Sequence, residues 1–252
     1  MILYEYPLNE RIRTYLRLEH LLGRLGQLLP RDAPIDHHFA LVTLFEVLEV
    51  ASRTDLKSDV LKDLDRQKNH VAGFRGNPAI SEVSLDAMLA RLEAAFAQLS
   101  QQIGKPGHEL AANDWLMSVR SRTAIPGGTC GFDLPSYPAW QHGQAAVRRA
   151  DLHRWVTSLV PMAEAITLLL QILRDTAKPK MVLAGGGQLQ IALPQHGRTA
   201  QLLHLRLDES LQLVPEVSGN RLAVSVRLLR QNVEGKLSAA REDASLELAL
   251  CS

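Results

Sequence analysis

Residues Leu168 to Pro194 read LLLQILRDTAKPKMVLAGGGQLQIALP, and the character of the chain changes inside them. Up to Asp175 the apolar residues crowd a helical surface. Beyond Pro179 they alternate with polar ones in runs of about five to seven residues. The spacing predicts strands over Leu189 to Leu193, Leu202 to Leu207, Leu211 to Val214, Leu222 to Leu228 and Leu246 to Leu250, divided by glycine turns, Pro194 and Pro215. Gly185-Gly186-Gly187 reads as a hairpin turn. A phosphate-binding loop needs a following Gly-Lys-Ser/Thr or a following helix, and neither pattern is present.

Working back from that switch, the pattern is helical. The longest predicted helix spans Gln144 to Asp175, bent near Pro161. Leu159 to Leu173, its most apolar window, is too short to span a bilayer, carries Glu164, and reads as a buried helix. Four earlier helices are expected. Asn9 caps the first, to about Leu29, whose apolar positions include Ile12, Tyr15, Leu18, Leu22 and Leu25. Asp36 caps a second over His37 to Ala51; a third covers Leu56 to Phe74; Ser84 opens a fourth over Leu85 to Ile103. A short segment, Trp115 to Arg122, leads into Ile125 to Trp140, IPGGTCGFDLPSYPAW. Three prolines and three glycines in these sixteen positions exclude a regular helix there. Phe132, Leu134, Tyr137 and Trp140 predict an ordered loop packed by its own side chains.

Ile2 to Tyr6 alternates like a strand and ends at Pro7. Alone, such a strand would expose unpaired edge groups, so it is expected to join the C-terminal sheet. The fold class is therefore α+β, with an N-terminal helical domain followed by a β-rich one, not a doubly wound sheet. The expected domains are 1–7 as a strand joining the β domain, 8–177 helical, and 178–252 β-stranded.

The chain has 252 residues, enough for a sizeable core, and a net charge of +1 from 28 basic and 27 acidic residues. That balance gives no ground for a nucleic-acid partner, so any charged partner must be met by local patches. No signal-peptide pattern follows Met1. Cys130 and Cys251, the two cysteines, fit a reducing compartment without disulfides. Cys130 in its glycine-rich loop invites a nucleophile reading, but no catalytic signature surrounds it, and a small buried cysteine is the simpler expectation. His37 and His38 are adjacent and point apart on a helix, and no zinc-ligand spacing is present. Asp133, Asp151 and the other carboxylates form no acid–base pair. No catalytic residue, metal or cofactor is expected.

The arginines carry more. Arg13, Arg17 and Arg24 share a stripe of the first helix, with Arg11 off that line. Arg120 and Arg122 precede the loop, Arg148 and Arg149 follow it, and Arg221, Arg227 and Arg230 lie among the strands. Arg221 and Arg227, an even number apart, would share one face of an unbulged strand. Taken singly, each arginine fits a solvated face laced with carboxylates such as Glu10 and Glu19. Taken together, they fit a groove for an acidic peptide, because guanidinium groups grip carboxylates through paired hydrogen bonds.

Four segments, YPLNERIRTYLRLE (Tyr6 to Glu19), KDLDRQ (Lys62 to Gln67), IPGGTCGFDLP (Ile125 to Pro135) and LELALCS (Leu246 to Ser252), give the chain a resemblance to the ZapD family of bacterial cell-division proteins. The resemblance implies a cytoplasmic, non-enzymatic homodimer at the mid-cell division site. Such a dimer binds the C-terminal tail of FtsZ, the tubulin-like protein of the division ring, and bundles its filaments, without membrane insertion. The family's basic N-terminal motif matches Arg13 and Arg17, its strand-region motif Arg221, and its basic pair before the loop Arg120 and Arg122. Arg227 joins them as the partner of Arg221 on the expected strand. Asp114 and Pro138 stand where some relatives would carry basic or histidine residues, so the loop itself is not expected to add charge. Arg17 and Arg221 are expected to supply most of the complementarity, on a basic surface between the helical and β regions. The alternative implied by the residues alone is a cysteine-dependent enzyme using Cys130.

Overall fold

The computed structural model describes residues 1–52, 55–194 and 199–252. In chain order the elements are β1 (Ile2–Pro7), α1 (Glu10–Leu28), α2 (Pro34–Ala51), α3 (Leu56–Ala72), α4 (Glu82–Gln101), α5 (Asp114–Thr123), α6 (Ser136–Gln141), α7 (Ala145–Thr157) and α8 (Val160–Asp175). Then come β2 (Lys180–Ala184), β3 (Gln188–Ala192), β4 (Leu202–Leu207), β5 (Leu213–Gly219), β6 (Ala223–Gln231), β7 (Leu237–Ala239) and β8 (Ala244–Cys251). The fold is α+β as the periodicity predicts. The chain forms two compact units: a strand unit of Met1–Leu16 with Leu170–Ser252, and a helical unit of Arg17–Leu169.

The strand unit is built from two antiparallel sheets. One has the order β1-β4-β8-β2; the other runs β3-β6-β5, with β7 on β6. One hydrophobic cluster joins them: Leu203, Leu205, Leu207, Leu246 and Leu248 from the first sheet meet Leu213, Val224, Val226 and Leu228 from the second. The expectation for the N-terminal strand holds. β1 pairs β4 with Tyr4 opposite Leu205 and Glu5 opposite His204. Tyr4 and Tyr6 turn inward onto the cluster, whereas Glu5 lies on the other face of the sheet.

That face holds a carboxylate in a near-buried setting. Arg174, at the end of α8, donates from Nε (2.8 Å) and Nη2 (2.7 Å) to the two oxygens of Glu5. His204 Nε2 lies 2.9 Å from the same carboxylate. Burial alone would raise the Glu5 pKa, but the hydrogen bonds and charges of His204 and Arg174 override it and hold it down to about 2. Cys251 lies nearby on β8; burial first, and the Glu5 charge second, push its thiol up to about 11. It is a packing residue, not a reactive one.

The Gly185–Gly187 turn is tight, with Gly185 bridging Gln188, but it does not close a hairpin of paired strands as expected: β2 lies in one sheet and β3 in the other, and the turn carries the chain between them. Gly187 has φ +72°, and a Cβ there would lie 2.4 Å from the Ala240 carbonyl oxygen, so only glycine fits. β2 and β7 lie outside the predicted strands. Each is mostly exposed, so the alternation that marks a half-buried strand is weak there.

In the helical unit α2 is apolar nearly all round and runs through the core, burying Ala40, Leu41, Leu44, Phe45, Val47 and Leu48. Its cap is Ala33, with Pro34 in the first turn; Asp36 lies inside the helix and does not cap it. Asn9 does cap α1, accepting from Ile12 N at 2.9 Å. Ser81, not Ser84, caps α4. The predicted helix from Gln144 to Asp175 is two helices, α7 and α8, at 65° to each other. The break falls at Ser158 and Leu159. Pro161 sits in the first turn of α8, where its missing N–H costs no hydrogen bond. Among the described residues no single helix is long and apolar enough to cross a membrane.

The loop Ile125 to Trp140 departs from its reading twice. A chain of turn hydrogen bonds, including Gly128 N to Ile125 O (2.9 Å) and Leu134 N to Cys130 O (3.0 Å), orders its first half. The second half is helical: α6 begins after Pro135 and tolerates Pro138 because its first-turn amides have no carbonyl to meet anyway. Leu134 and Tyr137 are buried as expected, but Phe132 is 85% exposed and does not pack the loop.

Tyr137 joins an aromatic cluster with Trp115, Trp140 and Trp155. Beside it lies Arg148, 3% exposed and without a carboxylate. Its guanidinium donates to His37 Nδ1 (2.9 Å), Gln141 O (2.8 Å), Asp32 O (2.6 Å) and Gly143 O. His37 therefore accepts at Nδ1, and burial, chiefly, lowers its pKa. The sequence placed Arg148 among possible surface cations; it is instead the tie that binds α7 to the segment before α2. Replacing it with methionine strands three carbonyls and a ring nitrogen. A thermal melt of Arg148→Met should show a loss of about 3 kcal/mol or more.

Candidate functional site

Three local structures meet around one groove of about 520 Å³ in the strand unit. The first is the exit from β1. Pro7 closes the strand, Leu8 N donates to Gln201 O at 2.8 Å, and α1 then starts at the Asn9 cap. Arg13, one turn into α1, lies with Glu10 at 3.5 Å and stays 41% exposed at its side chain. The second is the β5–β6 turn. Asn220 Oδ1 accepts from Leu222 N (2.8 Å) and Ala223 N (3.0 Å), and Asn220 N donates to Ala223 O (2.9 Å). This local closure, which asparagine and glycine favour, holds Arg221 at the turn's exposed tip. The third is the run-out of β3, where Leu193 N donates to Leu222 O at 2.8 Å and ties that segment to the same turn.

The lining combines two characters. Arg13, Arg221, Thr199 and Asn220 are polar; Tyr6, Pro7, Leu8, Leu193, Pro194 and Ala200 are apolar or mostly so. Two guanidinium groups beside the positive end of a helix favour an anion.

The other predicted cations are distributed differently. Arg221 precedes β6 instead of lying in it, so the shared strand face expected for Arg221 and Arg227 does not exist. Arg227 lies outside the groove lining and pairs with Glu216 on the cross-strand register. Arg17 is exposed one turn along α1 from Arg13, with no hydrogen bond or ion pair among the described residues. Arg120 and Arg122 belong to α5 of the helical unit, with Arg122 3.7 Å from Asp133. Arg24 is paired with Glu46.

Cys130 is exposed, against the expectation of burial. Its backbone is held by turn hydrogen bonds: Cys130 N donates to Gly127 O (3.1 Å), and Cys130 O accepts from Asp133 N and Leu134 N (both 3.0 Å). No hydrogen bond joins it to a histidine among the described residues. Among those residues, too, no group of three His, Cys, Asp or Glu side chains is placed to hold a metal ion. The apolar half of the groove was not foreseen. Its signal was faint: Leu8 follows a strand-ending proline and Leu193 precedes one.

Against known proteins the chain matches a family model described as "ZapD: Cell division protein" over residues 16–227. It is 47% identical over 252 residues to "Cell division protein ZapD" of Janthinobacterium sp. (strain Marseille), covering all of both chains. It is 48% identical over 253 residues to the protein of that name from Ralstonia pickettii (strain 12J), again over the whole of each. With a family model spanning most of its length and full-length relatives at this identity, the chain belongs to the ZapD family of cell division proteins.

Proposed function

We propose that the protein is a non-enzymatic division factor that binds the C-terminal tail of FtsZ at the Arg13–Arg221 groove. As a homodimer it carries two such grooves and cross-links FtsZ filaments into bundles in the cytoplasm at mid-cell. The observation that carries the reading is the convergence of two arginines, from opposite ends of the chain, on one groove. Arg17, one turn beyond Arg13 on α1, Arg120, Arg122 and Arg227 complete the basic residues we assign to tail binding.

Surface ion pairs contribute little singly and are screened, so affinity is modest and bundling comes from valence. The test is fluorescence anisotropy of a labelled FtsZ tail peptide titrated with wild type, Arg17→Glu and Arg221→Glu. Micromolar binding by wild type, weakened about tenfold by each reversal and lost at about 0.5 M salt, is the expected result. Tight binding that salt leaves unchanged would remove the electrostatic mechanism. The rival is hydrolysis or transfer at Cys130, which needs an activity that Cys130→Ala abolishes while tail binding survives.

A further inference from the structure

Two exposed arginines do not make a selective site. Each exposed ion pair is worth about fivefold or less in affinity, and any acidic chain offers carboxylates. The groove has a second, apolar half, and its backbone is held by hydrogen bonds. Leu8 and Leu193 each pack one side against the sandwich core while also lining the groove. Their amides are fixed, to Gln201 O and Leu222 O, both at 2.8 Å. Pro7 and Pro194 flank them and restrict the backbone on either side. An apolar surface held open in this way loses little further freedom when a ligand arrives.

We propose that the groove reads an aliphatic side chain together with a carboxylate. Its ligand is an acidic segment in which one leucine-like residue seats against Leu8 and Leu193 while neighbouring carboxylates meet Arg13 and Arg221. This deepens the tail-binding reading and rests on it: Leu8 and Leu193 set specificity, and the arginines set attraction. Burying one such side chain is worth about tenfold to a hundredfold in affinity, more than either arginine.

The two halves separate by salt. Anisotropy titrations of the labelled FtsZ tail peptide at a series of salt concentrations compare wild type with Leu193→Asn and Arg221→Gln, each checked for an unchanged melt. Leu193→Asn is expected to weaken binding about tenfold with the salt slope unchanged; Arg221→Gln is expected to flatten the slope. A second arm uses wild-type protein only, with each aliphatic residue of the peptide changed in turn to serine, and needs no folded variant. One of these peptides should lose about tenfold. If Leu193→Asn, folded, binds like wild type, or if every serine peptide binds like the parent, the apolar subsite is wrong although the arginine site stands. If wild type binds no tail peptide at all, the tail-binding reading fails and this inference falls with it.

Discussion

The double reversal Arg13→Glu/Arg221→Glu is expected to weaken FtsZ-tail binding by about a hundredfold or more. The two side chains line the same groove although their positions in the chain lie far apart. Each reversal removes an attraction and installs a repulsion of similar size. For two groups on one ligand the losses compound, while a shared carboxylate would make them less than additive. Glu10, 3.5 Å from Arg13, adds to the effect: in wild type the guanidinium offsets it, and in the double variant it loses that cationic partner. Neither arginine is buried, so the fold should survive, with an unchanged melt as the check.

Bundling should fall more steeply than binding. In the proposed dimer a cross-link needs both grooves occupied, so its yield would depend on the product of two occupancies. Light scattering of FtsZ filaments with the double variant should stay at the level of FtsZ alone. Undiminished peptide binding by a folded double variant would show that the tail docks elsewhere.

The largest effect on stability is expected at the carboxylate of Glu5. Arg174→Met leaves that charge with His204 as its remaining partner in a setting where its side chain is only 20% exposed. Breaking a near-buried pair from one side costs about 3–5 kcal/mol. Removing both partners costs less, so Glu5→Gln/Arg174→Met should be more stable than Arg174→Met alone, read by urea denaturation. The same cluster fixes an acid response. The folded pKa of Glu5 lies at about 2, below its ordinary value of 4.5, so the unfolded chain binds the proton more tightly. The stabilisation is then complete above about pH 4.5 and is lost as pH falls towards 2. It amounts to about 3 kcal/mol. Glu5→Gln should be less stable than wild type near neutrality and should lose this part of the acid sensitivity. An identical acid profile in the variant would assign the response to other groups.

The fold was largely legible because its two signals are strong and separate. Period-3.6 apolar spacing in α1, α3 and α4, and the apolar run of α2, give way after Pro179 to shorter runs, alternately buried in β6 and buried at nearly every position in β4. The place of β1 was legible too, since an unpaired strand has few places to go. What escaped were features set by tertiary context. The break before Pro161 depends on packing, and α6 depends on prolines falling at the one end of a helix that accepts them. The site was half legible. Charge is visible residue by residue, so Arg13 and Arg221 could be named. Burial is not: Arg148, on sequence equal to its neighbour Arg149, proves to be a core residue. The even spacing of Arg221 and Arg227 does not put them on one strand face, because Arg221 stands in the turn before β6 and only Arg227 lies on the strand.

The three tryptophans, Trp115, Trp140 and Trp155, have ring centroids 5.4 to 6.1 Å apart, all within the helical unit. At such separations their excited states share energy, so the intrinsic emission of this protein is in effect one chromophore embedded in the helices. The strand unit, with Tyr4, Tyr6 and Tyr15 but no indole, is dark at the same excitation. Tail docking at the groove should therefore pass unseen in tryptophan emission while altering tyrosine absorbance. Urea would then report the two units through two different colours, and a midpoint common to both would establish that they unfold as one.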